Sequence, residues 1–355
     1  MARDNTYQAP EADRADGCLH PRSVYDLVGH SEIERQFAGL LAQNQLHHAW
    51  LISGPSGIGK ATLAYRMIRR VLGGMPTTQG SLDVPASDPT AQRIESLGHG
   101  DFHLVRRPYD ERTKKIRAEI PVAEARKISG FFTRKASEGG WRVCLIDGID
   151  DMNRNASNAV LKTLEEPPEK ALLILLTKSP GKLLPTIRSR CLHAPLRAVP
   201  LEELKNWLEG KVDSAQDADI EAAIKLSSGA PGKALALIQN ADTVLRPLGN
   251  FMQSFPNGNA RLLHTISDML AVPKADISYQ LFWDALEDIL KAQAIYGGTG
   301  EWQSAHKPMA LGHDVQTWLR LSVELKNMRA AQSGLNMNKK TVLLQALTMI
   351  GTGKC

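Results

Sequence analysis

Apolar positions follow two regimes along the chain. In the first, short uninterrupted apolar runs alternate with stretches of helical spacing. AWLIS (49–53) and ALLILLT (171–177) read as buried strands, WRVCLIDGIDDMN (141–153) as a buried strand ending in acids, and DFHLVRR (101–107) suits a strand. Near-continuous apolar strands separated by helices predict a parallel sheet covered on both faces. The helical stretches are equally legible. Ser31 and Glu34 form a capping-box pattern, and Ile33, Phe37, Leu40 and Leu41 recur behind it. ATLAYRMIRRVL (61–72) has the same spacing, PVAEARKISGFF opens on a proline, and NASNAVLKTLEEPP (155–168) ends at Pro167 and Pro168. KLLPTIRSRC (182–191) reads as a short helix or turn. Residues 73–100, rich in Gly, Pro, Ser and Thr, read as an irregular insert.

The second regime begins near Pro200. PLEELKNWLEG, DADIEAAIKLSSG and GKALALIQ predict three short helices, and nearly everything beyond Leu245 has helical spacing. The pattern therefore divides the chain into a polar, disordered tail (1–19), an α/β domain (20–198), a three-helix domain (199–243) and an all-α domain (244–355). No internal repeat or coiled-coil heptad is visible.

Composition narrows the class. The chain has 355 residues, 43% hydrophobic and 23% charged, as expected of a soluble multidomain protein. Its longest apolar run, Ala171–Leu176, is far short of the ~20 residues of a membrane span. The polar N-terminus has no apolar core and is no secretory signal. Cys18, Cys144, Cys191 and Cys355 are scattered without C-x-x-C spacing. That argues against a disulfide framework and a zinc site, and for a reducing cytoplasm. A net charge of +5 permits contact with a polyanion without arguing for it. The basic stretch RRPYDERTKKIR (106–117) is interrupted by Asp110 and Glu111 and has no aromatic ladder, so a solvated charged loop is expected.

Chemistry concentrates at GPSGIGKAT (54–62). It departs by one residue from the phosphate-binding pattern G-x-x-x-x-G-K-[ST] and stands, as that pattern requires, between a strand and a helix. Gly54, Pro55, Ser56, Gly57, Ile58 and Gly59 would form the loop, whose backbone N–H groups, Pro55 having none, curl around phosphate oxygens, and Lys60 would neutralise the outer phosphates. The hydroxyl that ordinarily ligates magnesium is missing at Ala61. Thr62 is turned about 100° away on a helix and cannot simply replace it. The bland alternative is an ordinary strand-to-helix turn. Asp147, at the end of VCLID, could orient magnesium through water, or could merely cap the next turn. Where hydrolytic enzymes often carry a glutamate base, the next residue is Gly148; Asp150 and Asp151 could act only from another place in the loop. Phosphate binding is thus expected to persist and phosphate cleavage to be impaired. No carboxylate constellation of a polymerase is visible.

Four stretches together, GPSGIGKATLA, LIDGIDDM, LKTLEEPP and SRC, resemble the clamp-loader branch of the AAA+ ATPases across roughly residues 20–240. LVGH (27–30) resembles the segment near the adenine site of that family, with His30 where Gln is usual. The resemblance implies an AAA+ domain, a three-helix lid and a C-terminal helical collar in a five-subunit ring. Such a ring places a sliding clamp on primed DNA. The implied partners are gamma/tau-type and delta-type subunits, and clamp and DNA through the complex. The resemblance also implies ATP or ADP at the phosphate loop, and assigns Arg190 of SRC to the adjoining subunit's nucleotide. A surface ion pair is the plain alternative for that residue. The family's lid arginine aligns near Gly232, with Lys233 beside it, and a shifted lysine is not its equivalent. Losses at 61, 148 and 232 with Arg190 retained resemble the stationary, non-hydrolysing member of such rings. The four-cysteine zinc module of many relatives is absent, so no zinc is implied. Collar aromatics such as Phe282, Trp283 and Trp318 fit either a self-contained core or a subunit interface.

Overall fold

The computed structural model describes residues 11–14, 18–138, 140–212, 216–255, 259–301, 309, 311–335 and 337–354. They fall into two compact units, Met1–Pro200 and Leu201–Cys355.

The first unit runs α1 (Ser31–Ala42), β1 (Ala49–Ser53), α2 (Lys60–Val71), α3 (Pro89–Glu95), β2 (Phe102–Val105), β3 (Tyr109–Asp110), β4 (Lys115–Ile116), α4 (Val122–Phe132), β5 (Arg142–Asp147), α5 (Arg154–Glu165), β6 (Ala171–Thr177), α6 (Pro185–Arg188) and β7 (Leu192–Pro195). Five strands form one parallel sheet in the order β2-β5-β6-β1-β7. Alternate residues of each strand face opposite layers. Ala49 and Leu51 join Cys144, Ile146, Leu173 and Leu175 in the core beneath α4 and α5. Trp50 and Ile52 face the other way, where Trp50 meets Phe37 of α1 edge-on at 5.0 Å. Apolar burial on both faces gives these strands the continuous hydrophobic runs visible in the sequence.

Helix α2 also organises the chain that precedes it. Arg66 and Arg69 are buried, and a buried guanidinium needs acceptors for its donors. Arg66 bonds Glu34 at 2.6 Å, Asp83 at 3.2 Å and the Tyr25 carbonyl. Arg69 bonds the Val24 and Arg22 carbonyls and stacks on Tyr25, 3.9 Å from its ring centroid. Glu34 is thereby diverted from the expected capping box. The N-cap is instead His30, at φ 63°, and no side chain caps α1.

Three elements were not foreseen. The 73–100 insert contains α3, capped by Asp88 accepting from the Ala91 N–H. The basic stretch 106–117 contains an antiparallel hairpin, β3 with β4. β7, only four residues long, adds an edge to the sheet beside β1. The expected tail through residue 19 also differs in its described part. Residues 1–10 and 15–17 lie outside the described residues, but Glu11 is half-buried and Asp13 is enclosed, both paired with Arg106.

The second unit contains α7 (Leu201–Glu209), α8 (Asp217–Ser227), α9 (Pro231–Gln239), α10 (Arg246–Gln253), α11 (Ala260–Leu270), α12 (Asp276–Thr299), α13 (Val315–Leu335) and α14 (Lys339–Thr352). The three predicted short helices are α7–α9, and α8 packs on α9. Phe282, Trp283 and Trp318 are buried among the later helices. No described helix is long and apolar enough to cross a membrane.

Candidate functional site

The phosphate loop joins β1 to α2, at the end of the sheet where the parallel strands terminate. Gly54 (φ 152°) and Gly59 (φ 106°) adopt conformations that side chains rarely tolerate. A Cβ at Gly54 would lie 2.9 Å from the Leu196 carbonyl oxygen, and one at Gly59 would lie 3.0 Å from Leu27 Cδ1. The loop is therefore pressed between Leu196, just past β7, and the 27–30 segment. Its Ile58 side chain is buried, and the His30 ring Nε2 bonds the Ile58 carbonyl at 3.0 Å. Pro55, Ser56 and Gly57 are exposed at the open side.

Lys60 begins α2 and turns back over the loop. Its Nζ donates to the carbonyls of Gly54 (2.8 Å) and Pro55 (2.7 Å). An ammonium has three donors, so one remains for a ligand. Burial pulls its pKa down to about 8; Lys178 pulls it further, while Asp147 and Asp150 oppose both. Ala61 and Thr62 follow, half-buried.

Asp147 ends β5 in register with Leu176 of β6. Burial pushes its carboxyl up to about 7; Asp13 adds to the rise, and Lys60 and Lys178 hold it back. Gly148 follows at φ 82°, opening the turn Ile149–Asp151. The other two acids of that turn are engaged. Asp150 accepts from Thr177 Oγ1 and from the Lys178 N–H, both at 2.6 Å. Asp151 pairs with Arg107 Nε at 3.1 Å. These groups suit the phosphates of a nucleotide: glycine-turned backbone, a helix N-terminus and a lysine. They suit magnesium less well, because residue 61 offers no hydroxyl. Among the described residues, no cluster of three or more His, Cys, Asp or Glu side chains could hold a metal ion.

Thr177 and Lys178 were missed at the sequence level. The available signal was position: a hydroxyl and an amine directly after a buried run, on the strand between β1 and β5. Asp13 was missed because its partner, Arg106, lies 93 residues away.

Arg190 is at the opposite end of the strands from the phosphate loop. It precedes β7, whose first residue, Leu192, pairs with Trp50, while Gly54 follows the far end of β1. Its guanidinium donates to the Thr186 carbonyl at 3.0 Å and pairs with Glu165 at 3.0 Å, and its side chain remains 36% exposed. In the second unit, Lys233 of α9 is paired with Asp288 of α12 at 2.7 Å.

The chain is similar to known proteins over much of its length. The family described as "DNA polymerase III, delta subunit" matches residues 29–200. The delta' subunit of Pseudomonas aeruginosa is 35% identical over 52% of this chain. The delta' subunit of Haemophilus influenzae is 28% identical over 90% of this chain and 95% of its own length. These matches make residues 29–200 similar to clamp-loader subunits of DNA polymerase III. The tau/gamma subunit of Haemophilus influenzae is 29% identical over 79% of this chain. The chain spans 39% of that tau/gamma relative and 53% of the Pseudomonas one. Among solved structures, a DNA polymerase III gamma subunit-related protein from Thermotoga maritima covers 91% of the chain at 17% identity, TM-score 0.50. That likeness shows the fold: an α/β P-loop domain followed by a helical region.

Proposed function

We propose that this chain is a stationary, delta'-type clamp-loader subunit that binds ATP or ADP without hydrolysing it efficiently. In this reading it lends Arg190 to the nucleotide of an adjoining gamma/tau-type ATPase. The carrying observation is the separation of Arg190 from the phosphate loop by the length of β1. A guanidinium there cannot serve its own loop, so any phosphate it meets belongs to another molecule. A trans arginine of this kind contributes roughly 10³–10⁵ in rate by meeting charge that develops on the transferred phosphoryl group. The missing hydroxyl at Ala61 and the missing carboxylate at Gly148 support weak chemistry at the chain's own loop. The engagement of Asp150, Asp151 and Lys233 elsewhere supports it further.

The proposed partners are gamma/tau and delta subunits, with the sliding clamp and primed DNA engaged through the complex in the cytoplasm. The lid and collar division of the second unit, at about residue 243, belongs to this proposal. Arg190→Ala in a reconstituted loader is expected to cut ATP turnover and leave assembly intact; unchanged turnover removes the finger role.

A second reading is an active gamma/tau-type motor. The extent of similarity to tau/gamma, 79% of this chain, favours it, as does the nearly complete phosphate loop. Steady ATP turnover of several per second by the isolated chain, with or without DNA, would establish the motor and overturn the stationary role.

A further inference from the structure

A closed charge cluster ties the segment around Glu11 and Asp13 to the flank of the phosphate site. Glu11 accepts from both terminal nitrogens of Arg22, at 2.9 and 3.0 Å, and from Arg106 at 2.8 Å. Asp13 pairs with the other terminal nitrogen of Arg106. His20 completes the ring. Its Nδ1 accepts from the Arg22 N–H at 3.1 Å, which leaves the ring proton on Nε2, 3.2 Å from Asp13 Oδ1. The Asp13 side chain is 1% exposed, and its Oδ2 has no hydrogen-bond partner. A carboxylate this enclosed stays ionised only beside fixed positive charge.

The cluster stands beside the site. Arg106 directly follows Val105, which pairs with Ile146, so Arg106 leaves the sheet abreast of Asp147. His20 packs edge-on against Tyr65 of α2, centroids 6.1 Å apart. Tyr65 Oη is buried without a hydrogen-bond partner, and the charges of both Asp13 and Asp147 act on it. Two carboxylates from the segment thus face two guanidinium groups next to the phosphate loop. Without the segment, Arg22 and Arg106 would present uncompensated positive charge there. Long-range fields of that kind attract phosphates.

We propose that residues 11–14 are a docked strap. Their carboxylates occupy the Arg22–Arg106 pair, keep the flank of the phosphate site electrically neutral, and so weaken phosphate binding until the strap is released. This inference rests on the nucleotide-binding reading above.

The test compares the full chain with the isosteric double variant Glu11→Gln/Asp13→Asn. ADP affinity is measured by titration calorimetry, and hydrogen exchange is followed across residues 11–25. The variant is expected to bind ADP about tenfold more tightly at low salt, with the gain shrinking at about 0.5 M salt. Amides of residues 11–14 should exchange slowly in the parent and rapidly in the variant. Asp13→Asn alone, which keeps the Glu11–Arg22 pair, covers the case in which the double variant does not fold; about a threefold gain is expected. Equal ADP affinity in parent and variants overturns the inference while leaving the nucleotide reading intact. Fast strap exchange in the parent refutes the docking directly. No ADP binding by any of the proteins sinks the nucleotide reading, and the inference with it. A slowly exchanging strap in the parent would mark that result as a failure of the site and not of the docking.

Discussion

A Cβ placed on Gly148 would lie 2.8 Å from Asp151 Oδ2. The space where a base carboxylate would begin is taken by a neighbouring carboxylate, itself held by Arg107. The backbone also resists: Gly148 has φ 82° and ψ 61°, left-handed values that cost a non-glycine residue about 1–2 kcal/mol. Gly148→Glu is therefore expected to lower unfolding free energy by about 1–3 kcal/mol in chemical denaturation. It should not raise ATP turnover, even combined with Ala61→Thr. Gly148→Glu/Asp151→Ala should recover part of the stability. If Gly148→Glu alone is as stable as the parent, the steric account is wrong.

The raised carboxyl of Asp147 gives a pH signature. Its folded pKa of about 7 exceeds the ordinary carboxylate value of 3.8. The folded state then binds more protons than the unfolded chain between these values, so this group lowers stability progressively as pH rises from about 4 to 7. Asp147→Asn removes that loss. Its stability gain should be near zero only below about pH 4, partial at pH 5, and on the order of 1–2 kcal/mol at pH 8. Thermal melts of both proteins across this range check it. A gain that does not change with pH would show that Asp147 is not titrating as described.

The sheet and the loop were legible because both faces are covered: AWLIS and ALLILLT are the observed β1 and β6, residue for residue. β7 was not legible, because LHAP has a histidine and a proline in four residues and owes its pairing to β1. The capping box at Ser31 had the right letters, but Glu34 is drawn to buried Arg66 on a different helix. The loop residues 54–60 and Asp147 lie at the same end of the sheet because β1 and β5 run parallel on either side of β6. What spacing could not reveal was long-range pairing. Arg107 with Asp151 and Lys233 with Asp288 depend on tertiary approach and leave no local pattern.

Lys60 predicts a proton uptake on binding. With its pKa near 8, the amine is charged at pH 7 and largely neutral at pH 9. A phosphate favours the charged form, so binding above pH 8 must recruit a proton. ADP affinity should fall by up to about tenfold per pH unit above 8 on this account. Calorimetry at pH 9 in buffers of different ionisation enthalpy should report close to one proton taken up, against almost none at pH 7. Lys60→Ala should abolish both the uptake and most of the affinity. No uptake at pH 9 would exclude Lys60 as the phosphate partner.

The last prediction separates the role of Arg190 from that of its partner Glu165. In this chain the guanidinium bridges Glu165 and the Thr186 carbonyl, two acceptors that a planar fork can meet at once. The pair with Glu165 is solvent-accessible, and such pairs are worth about 0–1 kcal/mol, so breaking it to reach a neighbour's phosphate costs little. Glu165→Gln should therefore change stability by less than about 1 kcal/mol and loader turnover by less than about threefold. Arg190→Lys keeps the charge but loses the fork, and a lysine cannot hold the Thr186 carbonyl while presenting a second donor pair outward. Under the proposed function, it should cost the reconstituted loader roughly 10²-fold or more at the adjoining site, approaching Arg190→Ala. Turnover restored by lysine would mean that charge alone suffices. Equal losses for Glu165→Gln and Arg190→Lys would mean that the ion pair, and not a donated arginine, is what the complex requires.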